Sequence, residues 1–293
     1  MANEGPTLPP APESFPALPA RAVGSAKQPA LGAFSDFTAL CRSIADDPKM
    51  VPHLTAAHLS ALEATLTSQE GYVPLPKGVP PTIISTGFTL RRECDNRRIP
   101  VIYGHRIVQA YKQDFAKKHY RDWSELLAYL RFSAGSSAQF AQEVLGLKKN
   151  LLPALEALAC AHALLARLLS VREDSDKLKR LYLPVKWVES AGLDIEELSL
   201  DGNESKWAKV RDQGIAHVRQ LLAQAAPCVS GAPNASLKRA FGWIVADIEA
   251  RCHALEKATF PVSETPPPSK LGRLLAYWRM LSARSRTTAH PAG

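Results

Sequence analysis

The chain has 293 residues, 46% hydrophobic and 22% charged, with a formal net charge of +8. That size and apolar content suit one large domain or two small ones with a full core, and the positive balance favours anionic partners such as diphosphates, acidic lipid or nucleic acid. Five widely spaced cysteines (Cys41, Cys94, Cys160, Cys228, Cys252) form no C-x-x-C pair, which argues against a zinc site or disulfide framework and predicts reduced thiols in a cytoplasmic protein. No signal-peptide pattern opens the chain, and no segment reads as the roughly 18 apolar residues that cross a bilayer.

Residues 1–32 hold Pro6, Pro9, Pro10, Pro12, Pro16, Pro19 and Pro29. They predict an extended or partly disordered extension, ahead of a helical domain over 33–286 and a short tail at 287–293. Helical periodicity runs from Ala33 to Asp47 and stops before Pro48. A second helix is expected over 55–66 with Thr55 as N-cap, followed by a break rich in proline and glycine. Further helices are expected over 83–96 and 101–118, and one over 125–140 capped by Ser124. The segment 151–170 is apolar almost all round and belongs at the centre of a bundle. Helices over 205–225, 235–255 and 270–283 complete the chain. No alternating strand of useful length appears, so the fold class is all-α.

Several segments carry chemistry. Arg172 to Pro184, REDSDKLKRLYLP, follows the apolar run and ends in Arg180-Leu181-Tyr182-Leu183-Pro184. Glu13-Ser14-Phe15-Pro16 lies within the proline-rich stretch. Phe37 to Pro48 reads FTALCRSIADDP, and Gln113-Asp114, His119-Tyr120 and Asp122-Trp123 precede YLRFSAGSSAQF at Tyr129 to Phe140. In order and spacing these resemble the squalene and phytoene synthases, and most of all the bacterial hydroxysqualene synthase branch of hopanoid biosynthesis. The resemblance implies a terpenoid-synthase helical bundle around a central cavity for a long isoprenoid.

The same resemblance implies a metal site. Allylic and cyclopropylcarbinyl diphosphates react by losing pyrophosphate, whose charge Mg²⁺ neutralises. Aspartates at i and i+4 lie on one helical face, and two such helices make a carboxylate-lined mouth. Here the pairs are incomplete. Where the first motif of the family has an arginine and two aspartates, this chain has Ala39, Arg42 and Ser43; where the second has asparagine and aspartate, it has Ala166 and Ser170. The resemblance leaves Asp46, Asp47 and Asp174 as weakened or lost metal ligands. Asp46, Asp174, Tyr129 and Arg180 stand as vestigial catalytic positions, and Arg42 as a fixed cation in place of metal charge, paired with Asp174 or Asp46.

Two functions follow from the resemblance. One is a non-catalytic descendant that serves as partner of an intact synthase homologue or as a lipid-binding subunit. The other is an active hydroxysqualene synthase that uses Mg²⁺ on presqualene diphosphate. Taken without the resemblance, Asp46-Asp47 reads as a solvated helix end and Glu173-Asp174 as a solvated loop. The basic clusters lack an aromatic platform, so nucleic acid is not expected as a partner. The last helix, with Leu271, Leu274, Leu275, Trp278 and Leu281 on one face and basic residues around it, reads either as a core helix or as one resting peripherally on an anionic membrane.

Overall fold

The computed structural model describes residues 14–68, 78–195, 200–262 and 272–277. In chain order the elements are α1 (Ala20–Val23), α2 (Gln28–Ala45), α3 (Pro52–Thr65), α4 (Pro81–Arg97), α5 (Ile102–Ala116), β1 (His119–Tyr120), α6 (Trp123–Phe132) and α7 (Ala134–Leu145). A 3₁₀ turn (Lys149–Leu151) leads into α8 (Leu152–Leu169), α9 (Val171–Leu178), β2 (Leu181–Pro184), α10 (Val185–Ser190), α11 (Glu204–Ser230) and α12 (Ala235–Glu256). Residues 272–277 form a further helical segment; the rest of the expected 270–283 helix lies outside the described residues. The all-α class holds, with one small parallel pairing in which His119 stands opposite Leu181 and Tyr120 opposite Pro184.

Proline explains most of the shifted boundaries. Helices α2, α3, α4 and α8 each carry one in the first turn, where its missing N–H is not needed and its fixed φ suits the helix. Thus α2 begins at Gln28, five residues before the expected start and inside the presumed extension. Thr55 is not a cap: α3 starts at Pro52, and the buried Thr55 hydroxyl donates back to the Val51 carbonyl at 3.4 Å. The helix expected over 125–140 is two helices. Asp122 rather than Ser124 caps α6, accepting from the Glu125 N–H at 3.1 Å, and a turn at Ser133 (φ −88°, ψ −79°) separates α6 from α7. Residues 14–32 are ordered as well: Ser14, Ala22 and Val23 are buried, so the boundary placed at residue 32 falls within α2.

Helix α8 lies at the centre, packed foremost against α11 and α7, with α12 beyond. By length and composition Lys149–Leu169 does qualify as membrane-spanning, against the sequence expectation, but 72% of its apolar window is buried inside the bundle. Gly214 of α11 lets the two helices close up; a Cβ there would lie 2.6 Å from Leu168 Cδ2. A second core fills the space among α2, α3, α4 and α5. Phe140 of α7 joins it by stacking on Phe34 of α2 at 4.2 Å.

The contact between α3 and α4 is the tightest in that second core. A Cβ on Gly87 would stand 1.8 Å from Thr65 Oγ1, and Thr65 is fully buried with its hydroxyl bonded to the Leu62 carbonyl at 2.6 Å. Gly87→Ala is expected to lower unfolding stability by about 1–3 kcal/mol through overpacking, measured by urea denaturation, although alanine is the better helix former.

Candidate functional site

Two helix ends meet at a cleft of about 480 Å³ lined by Ala39, Arg42, Ser43, Asp46, Glu173, Asp174, Lys177 and Leu178. Asp46 is the residue that terminates α2. Its N–H still bonds the Arg42 carbonyl at 2.8 Å, so residues 42 and 46 share a face, and Arg42 Nε lies 3.3 Å from Asp46 Oδ2. Across the cleft, Ser170 is the joint between α8 and α9. Its carbonyl accepts from the Asp174 N–H at 2.8 Å and its hydroxyl donates to Asp174 Oδ2 at 2.7 Å. The expected sharing of one mouth by Arg42, Asp46 and Asp174 is therefore present, with Arg42 paired to Asp46 rather than to Asp174.

Two further arginines complete the arrangement. Lys179 takes a left-handed conformation (φ +54°) that ends α9. Arg180 follows, its N–H bonded to the Asp174 carbonyl at 3.1 Å. Its guanidinium reaches Asp46 Oδ1 at 3.0 Å and the Ala45 carbonyl at 3.3 Å. Arg167, in the last turn of α8, is fully buried. Its Nη1 stands 3.6 Å from Asp174 Oδ2, and its Cζ lies 3.5 Å above the Tyr182 ring. Arg167 was not anticipated from the sequence. Its signal was the one Lys or Arg within a largely apolar helix, a residue type rarely buried without a partner.

Behind the arginines sits a tyrosine cluster. Tyr182 and Tyr129 both donate to Asp114 Oδ2, at 2.7 and 3.1 Å, and Tyr120 packs against both rings at 6.3 and 5.1 Å. Tyr129, expected at the site, is thus buried behind the cleft rather than lining it. Asp47 does not line the cleft either. One residue further round the helix from Asp46, it accepts the Lys49 N–H on Oδ1 at 2.9 Å.

Electrostatics follow from burial. Burial pushes the Asp174 carboxyl above its ordinary range; Arg167 and the Ser170 hydroxyl oppose that, and the charge of Asp46 reinforces it. Burial also carries the Tyr182 hydroxyl well above the usual tyrosine range, with Arg167 opposing and Asp114 adding. For Arg180, burial works against the charge, and Tyr182, Asp114 and Asp46 outweigh it. Three of the four carboxylate oxygens of Asp46 and Asp174 therefore have cationic or hydroxyl donors, and the fourth, Asp174 Oδ1, is buried without a hydrogen bond. Among the described residues no three His, Cys, Asp or Glu side chains gather as a metal-binding group.

A second cavity of about 380 Å³ is lined by Phe15, Leu18, Leu31, Phe34, Phe140 and His162 among others, with no lysine or arginine in its wall. The segment 14–18 closes one side of it.

A bundle of this kind with a charged mouth at two helix ends beside an apolar cavity defines the class of isoprenoid-synthase folds. The squalene/phytoene synthase family model matches residues 14–276, and the chain belongs to that family. Hydroxysqualene synthases of Sinorhizobium fredii and Rhodopseudomonas palustris are 28% and 27% identical to it over 199 and 196 residues, 68% and 67% of this chain. These alignments span 62% and 63% of the relatives, slightly under two thirds of their length. The hydroxysqualene synthase of Zymomonas mobilis is 24% identical over 80% of this chain and 70% of its own. Among solved structures, squalene synthase HpnC from Alicyclobacillus acidocaldarius superposes with a TM-score of 0.61 at 16% identity, covering 93% of this chain and 88% of that one. A dehydrosqualene synthase in complex with ligand gives 0.62 at 15% identity, covering 88% of each.

The buried pair generates an asymmetric prediction. Arg167 retains the Tyr182 ring if Asp174 is neutralised, whereas Asp174 loses its main counter-charge if Arg167 goes. Arg167→Met is expected to lower stability by about 3 kcal/mol and Asp174→Asn by less than about 1.5 kcal/mol, by urea unfolding at neutral pH. An acid whose folded pKa is raised favours folding at low pH and loses that stability as pH rises through the raised value. Removing Arg167 raises it further. The deficit of Arg167→Met should therefore shrink as pH falls from 7 towards 5, and a deficit that grows would contradict the charge assignment.

Proposed function

We propose that this protein is a member of the squalene/phytoene synthase family in which arginine–carboxylate pairs stand where a metal-assisted ionisation centre would be, and that it serves isoprenoid or hopanoid metabolism as a non-catalytic, lipid-binding partner subunit. The observation that carries this reading is the engagement of Asp46 by Arg42 and Arg180, and of Asp174 by Arg167 and Ser170.

Magnesium takes oxygen ligands in a near-octahedral shell, commonly with one or two carboxylates and several waters. The residues present do not fit it. Its carboxylates are already neutralised, and a divalent ion about 4 Å from a single guanidinium would be repelled by about 8 kcal/mol at an effective dielectric constant of 20. Loss of even one electrostatic stabiliser commonly lowers turnover by about 10²–10³. The apolar cavity supports the lipid-binding half of the reading. Its wall offers aromatic and aliphatic surface with a few neutral polar groups, the composition of a site for an uncharged isoprenoid chain.

The active-synthase reading makes the opposite forecast. Incubation of the full chain with presqualene diphosphate and Mg²⁺, followed by mass spectrometry, is expected to yield no hydroxysqualene above background. Calorimetry with Mg²⁺ and pyrophosphate is expected to show no tight stoichiometric uptake. Robust product formation abolished by Asp174→Ala would overturn the proposal and establish a synthase that works with fewer carboxylates.

A further inference from the structure

The helix α12 presents an outward stripe of Ser236, Arg239 and Trp243 at helical spacing. Trp243 is 44% exposed, an unusual position for the largest apolar side chain. The helical segment 272–277 lies against it: Tyr277 meets Trp243 edge to face at 5.7 Å, and Arg273 Nε forms an ion pair with Asp247 Oδ1 at 2.6 Å. Since Arg273 pairs with the later residue of α12 and Tyr277 with the earlier, the segment runs antiparallel to α12. Its Leu274 and Leu275 are 45% and 48% exposed. Between α12, this segment and α1 opens a groove of about 650 Å³, rimmed by Arg21 and Arg239 and containing no acidic side chain in its wall. Neither arginine is held by an acid among the described residues. Lys238 adds a third exposed cation one residue away.

We propose that this face docks on the surface of an anionic phospholipid bilayer. Three large apolar side chains exposed among the described residues belong to these two elements, Trp243 on α12 at the groove and Leu274 and Leu275 on the segment packed beside it. They come with a tyrosine and with exposed cations, the combination that rests at the boundary between acyl chains and head groups. The sequence extends the match. After Glu264 there is no acidic residue, while Lys270, Arg273, Arg279, Arg284 and Arg286 follow, so this end of the chain complements a negative surface. A second copy is a poorer occupant: a two-fold contact places the same patch against itself, bringing Arg21 and Arg239 of both copies together. The inference is independent of whether the carboxylate cleft does chemistry.

The test is co-sedimentation of the full chain with vesicles of pure phosphatidylcholine and of phosphatidylcholine mixed with phosphatidylglycerol. Binding is expected only to the mixed vesicles, weakening as salt rises. Each basic residue at such a surface changes partition by about fivefold, so Arg21→Glu with Arg239→Glu should lower it by at least about 25-fold. Trp243→Ser should reduce the binding that persists at high salt. All three side chains are exposed, so the variants are expected to keep the wild-type circular dichroism and melting temperature. Equal binding to both vesicle types, or mixed-vesicle binding unmoved by either variant, would overturn the proposal. So would gel filtration showing a dimer that Trp243→Ser dissolves while vesicles bind nothing, since the occupant would then be a second copy. Retention on an acidic peptide without vesicle binding would likewise replace the membrane with a protein partner.

Discussion

Arg180 ties two distant parts of the chain together. It stands between the left-handed end of α9 and the start of β2, and its guanidinium grips both Asp46 and the last carbonyl turn of α2, 134 residues earlier. Helix ends leave carbonyls without partners, and a cation there is doubly favourable because it also meets the negative end of the helix dipole. The contact holds α2 against the α8–α9 joint and so defines the cleft. It also fixes the entry into β2, and with it the position of Tyr182 over Arg167 and against Asp114. The cleft, the tyrosine cluster and the small parallel pairing all depend on that one side chain being where it is.

Arginine suits this task in a way lysine would not. Its planar, permanently charged group carries several donors in fixed directions, so one residue can meet a carboxylate and a carbonyl, or a carboxylate and an aromatic face, at once. The two aspartates are therefore neutralised from inside the protein. Such buried pairs add little net stability, because desolvation offsets most of the attraction. Their effect is on geometry: each carboxylate is locked to a donor of known position, and the mouth is held open at a set width by covalently attached charge.

The sharing of one mouth by Arg42, Asp46 and Asp174 was legible in the sequence because it rests on helical spacing alone, and spacing survives substitution. The order of the motifs likewise carried the all-α architecture. Arg167 was not legible, since the family motif concerns an amide and a carboxylate at residues 166 and 170 and is silent on the cation between them. Asp47 was misplaced for a simpler reason: adjacent residues on a helix differ by about 100° in direction, so two neighbouring acids cannot both line the same narrow cleft. Tyr129 was right as a residue to notice and wrong as a lining residue, because burial depth is a tertiary property. The N-terminal prolines misled in the same manner. Composition predicted an open extension, but Phe15 and Leu18 pack on the core and the later prolines sit at helix starts, where they favour order.

The ordering of residues 14–23 also bears on how the molecule is made. Helix α1 (Ala20–Val23) packs on α12 (Ala235–Glu256), far along the chain from it. The segment before it closes the apolar cavity against α7 and α8. Residues 14–18 share that cavity wall with the adjacent α2 as well, whereas α1 packs on α12. The α1–α12 contact joins residues of high sequence separation, which slows its formation relative to contacts between neighbouring helices. The cavity takes one wall from residues 14–18 and the rest from α2, α7 and α8, so its aromatic lining is complete once α8 has been made, without waiting for the contact between α1 and α12.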